Sequence, residues 1–378
     1  MEERLRQLIG RNLKAAREAM GISQEDFAKK LGLSRATLSA IENGHSTLDS
    51  TKLIQASQTL GRPVSDFLLE EQEDMAFLYR AAERVVPDDG VRSKFRHFCE
   101  SYRQIEEIVG VADNLLPPPG YTFIPHLQTK PNQFAVQVAE SERERLGVGN
   151  LEPLPNIFKL LEANGVRIFV MKIPNPVLFG LSAFSKRYGP CVLVNAESTI
   201  ERQIFTLAHE YGHLVMHRDR YRNLAPSEER DTDFEEMAHT FAGRFLVPAA
   251  GLREFVLKTI GKRRISLEDA VSCKHYFRTS LKVIAHRLLH CELISQADRK
   301  MLIDKADEYK KQEFAPLDAG KYLDDWQGVK RFDTLLRKAA LSELISTSRL
   351  AELLGANLIE TRSKVQDWRK EMTALAST

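Results

Sequence analysis

The stretch Thr206-Leu207-Ala208-His209-Glu210-Tyr211-Gly212-His213-Leu214-Val215 constrains this chain more than any other. It reads H-E-x-x-H inside an apolar segment. Ile204, Phe205, Leu207, Ala208, Leu214 and Val215 predict a buried helix there. Residues four apart lie on one helix face, so His209 and His213 can offer two imidazole nitrogens to one zinc ion. Glu210 stands beside that face, where it can take a proton from a water at the metal. The bland alternative is a buried helix with two incidental histidines, and the downstream sequence argues against it.

Zinc in a hydrolase takes three protein ligands and keeps one position open. Between Asp233 and Pro248, the residues Phe234, Met237, Ala238, Phe241, Ala242 and Phe245 give a helical apolar period that stops before the proline. Glu235 and His239 lie four apart on one face, and Glu236 points about 100° away. The arrangement resembles thermolysin-like zinc peptidases, whose third ligand is a Glu on such a second helix with Asp or Asn four residues later. That register selects Glu235, with Glu236 as the alternative. His239 departs from the pattern and could orient a ligand instead. His217 lies about 12 Å along a straight helix from His209, too far to share an ion, and reads as structural or ligand-orienting.

The segments "RQIFTLAHEYGHLVMH" and "FEEMAHTFAGRFLVP" together resemble the ImmA/IrrE family of zinc metallopeptidases. Upstream, "PCVLVNAESTIERQ" looks like that family's strand before its zinc helix. Downstream, "FRTSLKVIAHRLLHCELIS" is similar to the helical unit that follows it. The resemblance covers roughly residues 150 to 296. It implies a zinc-dependent endopeptidase acting on helix-turn-helix repressors in stress response or mobile-element induction. For the oxyanion-stabilising group, Tyr188, Tyr211, His217 and His239 are the candidates.

The 378 residues suffice for two or three domains, and a net charge of +2 leaves any nucleic-acid binding to a local surface. Cys99, Cys191, Cys273 and Cys291 form no C-x-x-C pair and read as reduced, mostly buried thiols of a cytoplasmic protein. The charged N-terminus is no signal peptide, and no apolar run nears the roughly 20 residues that span a bilayer.

Residues 1–69 read as five helices. Leu5, Leu8, Ile9, Leu13 and Ala16 line the first. Ser23 caps the second, with Phe27, Ala28 and Leu31 inward. Gly32 makes a turn, and Ser34 caps a third helix carrying Leu38 and Ile41. The spacing of Gln24, Ala28, Gly32, Leu38, Ser39, Ile41, Glu42 and Gly44 resembles the Xre/Cro-type helix-turn-helix. That implies a third helix whose start enters a major groove. Gln24 would contact phosphate, Ser34, Arg35 and Thr37 would face bases or backbone, and Asn43 would sit near the strand. Lys and Arg barely exceed Asp and Glu here, so a homodimer on a two-fold DNA operator is expected.

Residues 70–116 keep a helical pattern through Phe77, Leu78, Ala81, Phe95, Phe98, Tyr102 and Ile105, and read as a helical connector. Leu115-Leu116-Pro117-Pro118-Pro119-Gly120 is the clearest linker and marks the main boundary. Strands are expected at residues 166–171, 181–184 and 191–195, with an edge that could hold an extended peptide. Residues 266–295 carry a second helix-turn-helix-like pattern with Arg263, Arg264, Lys274 and Arg278. Packing beneath the catalytic domain is the better reading of it, with nucleic-acid contact as the alternative. Residues 296–378 are helical and charged, without assignable chemistry.

The expected fold is therefore mainly α with a small β-sheet (α+β). A helix-turn-helix domain comes first (1–69), then a connector (70–116), a zincin-like peptidase domain (117–295) and a helical C-terminal region (296–378). The expected function is a DNA-binding transcriptional regulator whose Zn2+-dependent endopeptidase cleaves a repressor-type protein or itself, with the Pro117 region as one site of self-cleavage. Glu210 would be its base and His209, His213 and Glu235 its ligands. The alternative is a non-proteolytic regulator, of the toxin–antitoxin or phage type, whose zincin-like domain senses a ligand or partner.

Overall fold

The computed structural model describes residues 2–20, 22–60, 64–68, 77–81, 89–112, 114–124, 130–218, 221, 232–261, 264–308, 313–327 and 330–376. Contacts divide the chain into two compact units, Met1–Asp74 and Met75–Thr378.

The first unit holds α1 (Glu2–Ala19), α2 (Gln24–Leu31), α3 (Arg35–Glu42), α4 (Ser50–Leu60) and α5 (Val64–Leu68). Ser23 and Ser34 cap α2 and α3, their hydroxyls accepting from the amides of Asp26 (3.1 Å) and Thr37 (3.0 Å). Gly32 ends α2 in the left-handed region at φ 63°, so the chain turns between the two helices without the penalty a side chain would bring. Leu13, Phe27, Ala28, Leu31, Leu38 and Ile41 form the shared core.

The second unit begins with β1 (Phe77–Ala81) and α6 (Asp89–Val109), followed by α7 (Pro131–Arg145) and α8 (Ile157–Ala163). Next come β2 (Arg167–Met171), β3 (Leu178–Ser185) and β4 (Gly189–Asn195), then α9 (Ile200–Met216) and α10 (Thr232–Leu246). Eight helices complete it: α11 (Ala249–Thr259), α12 (Leu267–Phe277), α13 (Leu281–His290), α14 (Gln296–Asp307), α15 (Ala319–Gln327), α16 (Arg331–Leu341), α17 (Thr347–Leu354) and α18 (Leu358–Ala376).

The sheet order is β1-β3-β4-β2, with β2 parallel to β4 and the other pairs antiparallel. Strand alternation splits the apolar residues between two cores. Val192 and Val194 of β4 face α9 and the helices around it. Cys191 and Leu193 face the other way, toward α6 and the C-terminal helices. All four cysteines are buried free thiols. No helix among the described residues is long and apolar enough to cross a membrane.

Three expectations change. Phe77–Ala81 is a strand, not part of a helical connector. It pairs antiparallel with β3, Phe77 opposite Ala183 and Ala81 opposite Leu178. A Phe-Leu-Tyr run suits a strand, and the open edge of β3 supplies the partner that its local apolar spacing does not reveal. Met75, Ala82 and Val85 lie outside the described residues. Second, α6 is no connector either: Phe98 stacks on Phe169 of β2 at 4.3 Å, and the buried Glu106 receives Arg167 and Arg331. The C-terminal residues are divided: Leu335, Leu336 and Ala339 of α16 join α6 in the core on this sheet face, whereas Leu302 of α14 and Trp326 of α15 join the core around α9. Third, the contacts divide at Asp74/Met75 rather than at the proline run. Arg218 Nη2 donates to the Pro118 carbonyl at 2.6 Å, and the Tyr121 amide donates to Val215 O at 2.7 Å.

The basic residues of the second helix-turn-helix-like pattern are largely spent internally. Lys274 is fully buried, 2.9 Å from the equally buried Glu201 and 2.6 Å from the Ala315 carbonyl. Arg278 donates to Leu154 O, and Arg264 pairs with Asp298. Arg263 lies outside the described residues. Removing one member of a buried pair strands the other charge in low dielectric. Lys274→Met should therefore lower unfolding stability by about 3–5 kcal/mol in urea titration, while Arg264→Ala, at the surface, should leave the midpoint unchanged.

Candidate metal centre and DNA-binding face

Thr199 caps α9, and fifteen of that helix's residues are buried, so His209, Glu210 and His213 are carried into the interior on a rigid element. Gly212 allows α10 to pass closely: a Cβ there would lie 2.9 Å from the Phe241 ring. That approach brings Glu235 over the histidine face. His209 Nε2 and His213 Nε2 are 3.1 Å apart, and the two Glu235 oxygens lie 3.4 and 3.3 Å from them. Burial pushes the Glu235 carboxyl up, but hydrogen bonds and charge from His209 and His213 overcome this and hold it far below the usual carboxylate range.

Glu236, one residue on, turns away and accepts from Asn132 Nδ2 at 2.6 Å. His217 ends α9 with its Nδ1 2.8 Å from His213 Nδ1, which fixes the His213 ring with Nε2 toward Glu235. His239 is exposed one turn beyond Glu235. Its Nδ1 donates to the Glu235 carbonyl at 2.8 Å, and its ring stands edge-on to His209 at 4.6 Å. A donor atom of His239 also lies within 4.8 Å of donors on His209 and Glu235. The triangle with His213 is tighter, and His213 is buried where His239 is exposed, so His239 belongs at the mouth of the site.

Glu210 reaches β3, accepting a short hydrogen bond from the Ser182 hydroxyl, which in turn accepts from Tyr221 Oη at 2.9 Å. Burial and the Glu210 charge push the Tyr221 phenol well up, so it remains a donor. Sequence reasoning missed Ser182 and Tyr221. Neither carries a motif, and the contact depends on the β3–α9 packing alone. Tyr211 and Tyr188 do not reach the centre. Tyr211 packs on Phe241 and Phe245 with its hydroxyl on Glu142, and Tyr188 lies in the core on the other sheet face.

In the first unit, Ser34, Arg35 and Thr37 are exposed at the start of α3, and Asn43 is exposed at its end with Nδ2 on Ser39 O at 2.8 Å. Gln24 begins α2 and donates to Glu42 at 2.9 Å. Glu42 is buried and held by Arg17 through 2.7 and 3.0 Å bonds. The Arg17–Glu42–Gln24 network was not foreseen. It ties α1 and α2 to the end of α3 and fixes the angle at which α3 is presented.

Comparison with known proteins agrees with this division. Residues 13–67 match the family model described as Helix-turn-helix, and residues 161–289 match the IrrE N-terminal-like domain. The chain joins a helix-turn-helix DNA-binding module to an IrrE-type, protease-like domain. No curated protein matches it. Among solved structures, apo ComR of Streptococcus vestibularis is 13% identical, covering 96% of this chain and 99% of that one, at a TM-score of 0.17. PlcR of Bacillus thuringiensis, in complex with the peptide PapR7 and DNA, is 10% identical over 98% and 97%, at 0.18. Scores this low carry no argument about fold or function.

Arg35 is exposed and unneeded for the core. Arg35→Ala should weaken operator binding while leaving the melting temperature in place. If it contacts phosphate, the slope of log affinity against log salt should fall by about one. Unchanged affinity in a filter-binding titration would remove Arg35 from the interface.

Proposed function

We propose that this chain is a DNA-binding transcriptional regulator carrying a zinc-dependent endopeptidase, whose substrate is a repressor-type protein or the chain itself. The observation that carries this reading is the triangle of His209, His213 and Glu235, in which the two Nε2 atoms are 3.1 Å apart and the carboxylate sets one oxygen 3.4 Å from the first and the other 3.3 Å from the second. Ligands at about 2.0–2.1 Å in tetrahedral array stand roughly 3.3–3.4 Å from each other, so the triangle fits one zinc ion with little movement. Two neutral imidazoles and one carboxylate also leave a fourth position open, as a hydrolytic site requires. Bound there, zinc would supply Lewis acidity to a peptide carbonyl and to the attacking water.

The protein groups do the rest. Glu210 takes the proton from the water and returns it to the leaving amine. Ser182, backed by Tyr221, holds the carboxylate and limits its rotation. His217 fixes the His213 ring. His239, at the mouth, is the remaining candidate to face the developing oxyanion.

The edge of β3 favours the chain itself as a substrate. Extended substrates bind proteases by strand addition, and Phe77–Ala81 already lies on that edge, with Leu78 opposite Ser182. This segment adjoins the division between the two units, so a cut there would free the DNA-binding unit. It replaces the Pro117 region as the expected place of self-cleavage. As a regulator, the chain would bind a two-fold operator as a homodimer.

Glu210→Gln should keep stoichiometric zinc and lower cleavage at least about 100-fold. Glu235→Ala should lose the zinc, and Glu236→Ala should retain it. Metal analysis and intact-mass spectrometry of zinc-loaded protein read both. Undiminished cleavage by the Gln variant would exclude Glu210 as the base.

A further inference from the structure

A cavity of about 1670 Å³ opens beside the metal-type centre at Phe205, Glu236 and His239, and continues along α10 to Arg244. Its far wall is one face of α13, where Lys282, His286, Arg287 and His290 recur at helical spacing. The carboxylates around this cavity are already committed. Asp307 is paired with Lys282, Glu236 is held by Asn132, and Glu201 by Lys274. Glu313 accepts from the Leu281 amide, and Glu197 pairs with Lys172. The arginines are not: among the described residues neither Arg244 nor Arg287 has a carboxylate partner.

Arg287 is 3% exposed. Its Nε donates to the Val247 carbonyl at 2.9 Å, and Nη2 reaches only the Cys291 sulfur at 3.8 Å. Arg143 shows what a purely structural buried arginine does here: it gives three nitrogens to three backbone carbonyls, and it does not line the cavity. Burial and the nearby Arg244 charge lower the Arg287 pKa to about 10, and burial together with Arg287 and Arg244 lowers that of His290. This end of the cavity thus gathers positive charge that Glu140 of α7 opposes only through space, with no direct ion pair to either arginine among the described residues. A guanidinium pair of this kind suits a carboxylate, which it can hold by two charge-assisted hydrogen bonds.

The distance specifies the ligand further. Arg244 follows Glu235 by nine residues, roughly 13 Å along the helix. An extended peptide covers that in about four residues. Direction comes from β1, which runs antiparallel to β3 and ends with Ala81 opposite Leu178. Pro176, Val177 and Phe179, at the leading end of β3, line the cavity. A peptide that takes the place of β1 on that edge, in the same sense, enters with its C-terminal side.

We propose that Arg244 and Arg287 form a carboxylate subsite that selects substrates with an acidic residue about four positions C-terminal to the scissile bond. The proposal rests on the peptidase reading for its placement, and the subsite itself can be tested without catalysis. The probes are two fluorescein-labelled decapeptides that differ only by Glu or Gln four residues after a central Phe-Leu bond. Full-length Glu210→Gln protein should bind the Glu peptide at least about tenfold tighter by fluorescence anisotropy. Adding Arg244→Gln should reduce that ratio to near one. Arg244 is half-buried and caps nothing, so this variant should fold even if Arg287→Gln does not. Equal binding of both peptides, or a preference that survives in the Arg244→Gln protein, overturns the subsite. Zinc-loaded wild type separates the two claims: cutting both peptides equally refutes the subsite alone. A binding preference with no cutting of either refutes the peptidase and leaves the subsite standing.

Discussion

The close passage of α10 across α9 is the contact on which the candidate site depends. The two histidines are placed by helix geometry alone, four residues apart on α9. The third donor has no such guarantee, because it comes from a different helix whose distance is set by packing. Gly212 removes the side chain that would hold α10 off, and Phe241 fills the space. Below that contact, Tyr211, Phe241 and Phe245 stack into the core and fix the rotation of α10. A slip of one residue would present Glu236, and of one turn His239, in place of Glu235.

The same economy of position governs Glu210. It lies on the flank of α9 that meets β3, so the sheet edge and the candidate base share Ser182. An extended chain on that edge is brought beside the base by backbone pairing, whatever its side chains. In this chain the edge is occupied by β1. Along the chain, β1 comes directly after the boundary between the two units.

The sequence made legible what depends on short range. His209, Glu210 and His213 follow from spacing within one helix. Glu235 follows from spacing in the next, once the resemblance supplies its register. The caps Ser23 and Ser34 and the turn at Gly32 follow from local backbone chemistry, and the strands at β2, β3 and β4 from short apolar runs set off by Gly165 and by Gly189-Pro190. What escaped depends on long-range partners. The run Phe77–Ala81 has apolar spacing that fits a helix locally, and only the open edge of β3 makes it a strand. Ser182 and Tyr221 sit 39 residues apart and meet through packing. Lys274 reads as a surface base until Glu201, 73 residues away, is found against it. The proline run looks like a hinge because nothing in its composition shows that Arg218 and Val215 hold it down.

Zinc-edge X-ray absorption on the full-length chain, loaded with one equivalent of zinc, tests the central claim most directly. The expected spectrum shows one tightly held zinc with two imidazole nitrogens near 2.0 Å and carboxylate or water oxygen at about 2.0–2.2 Å. Sulfur scattering near 2.3 Å, a single imidazole, or a folded protein that retains no zinc would contradict it.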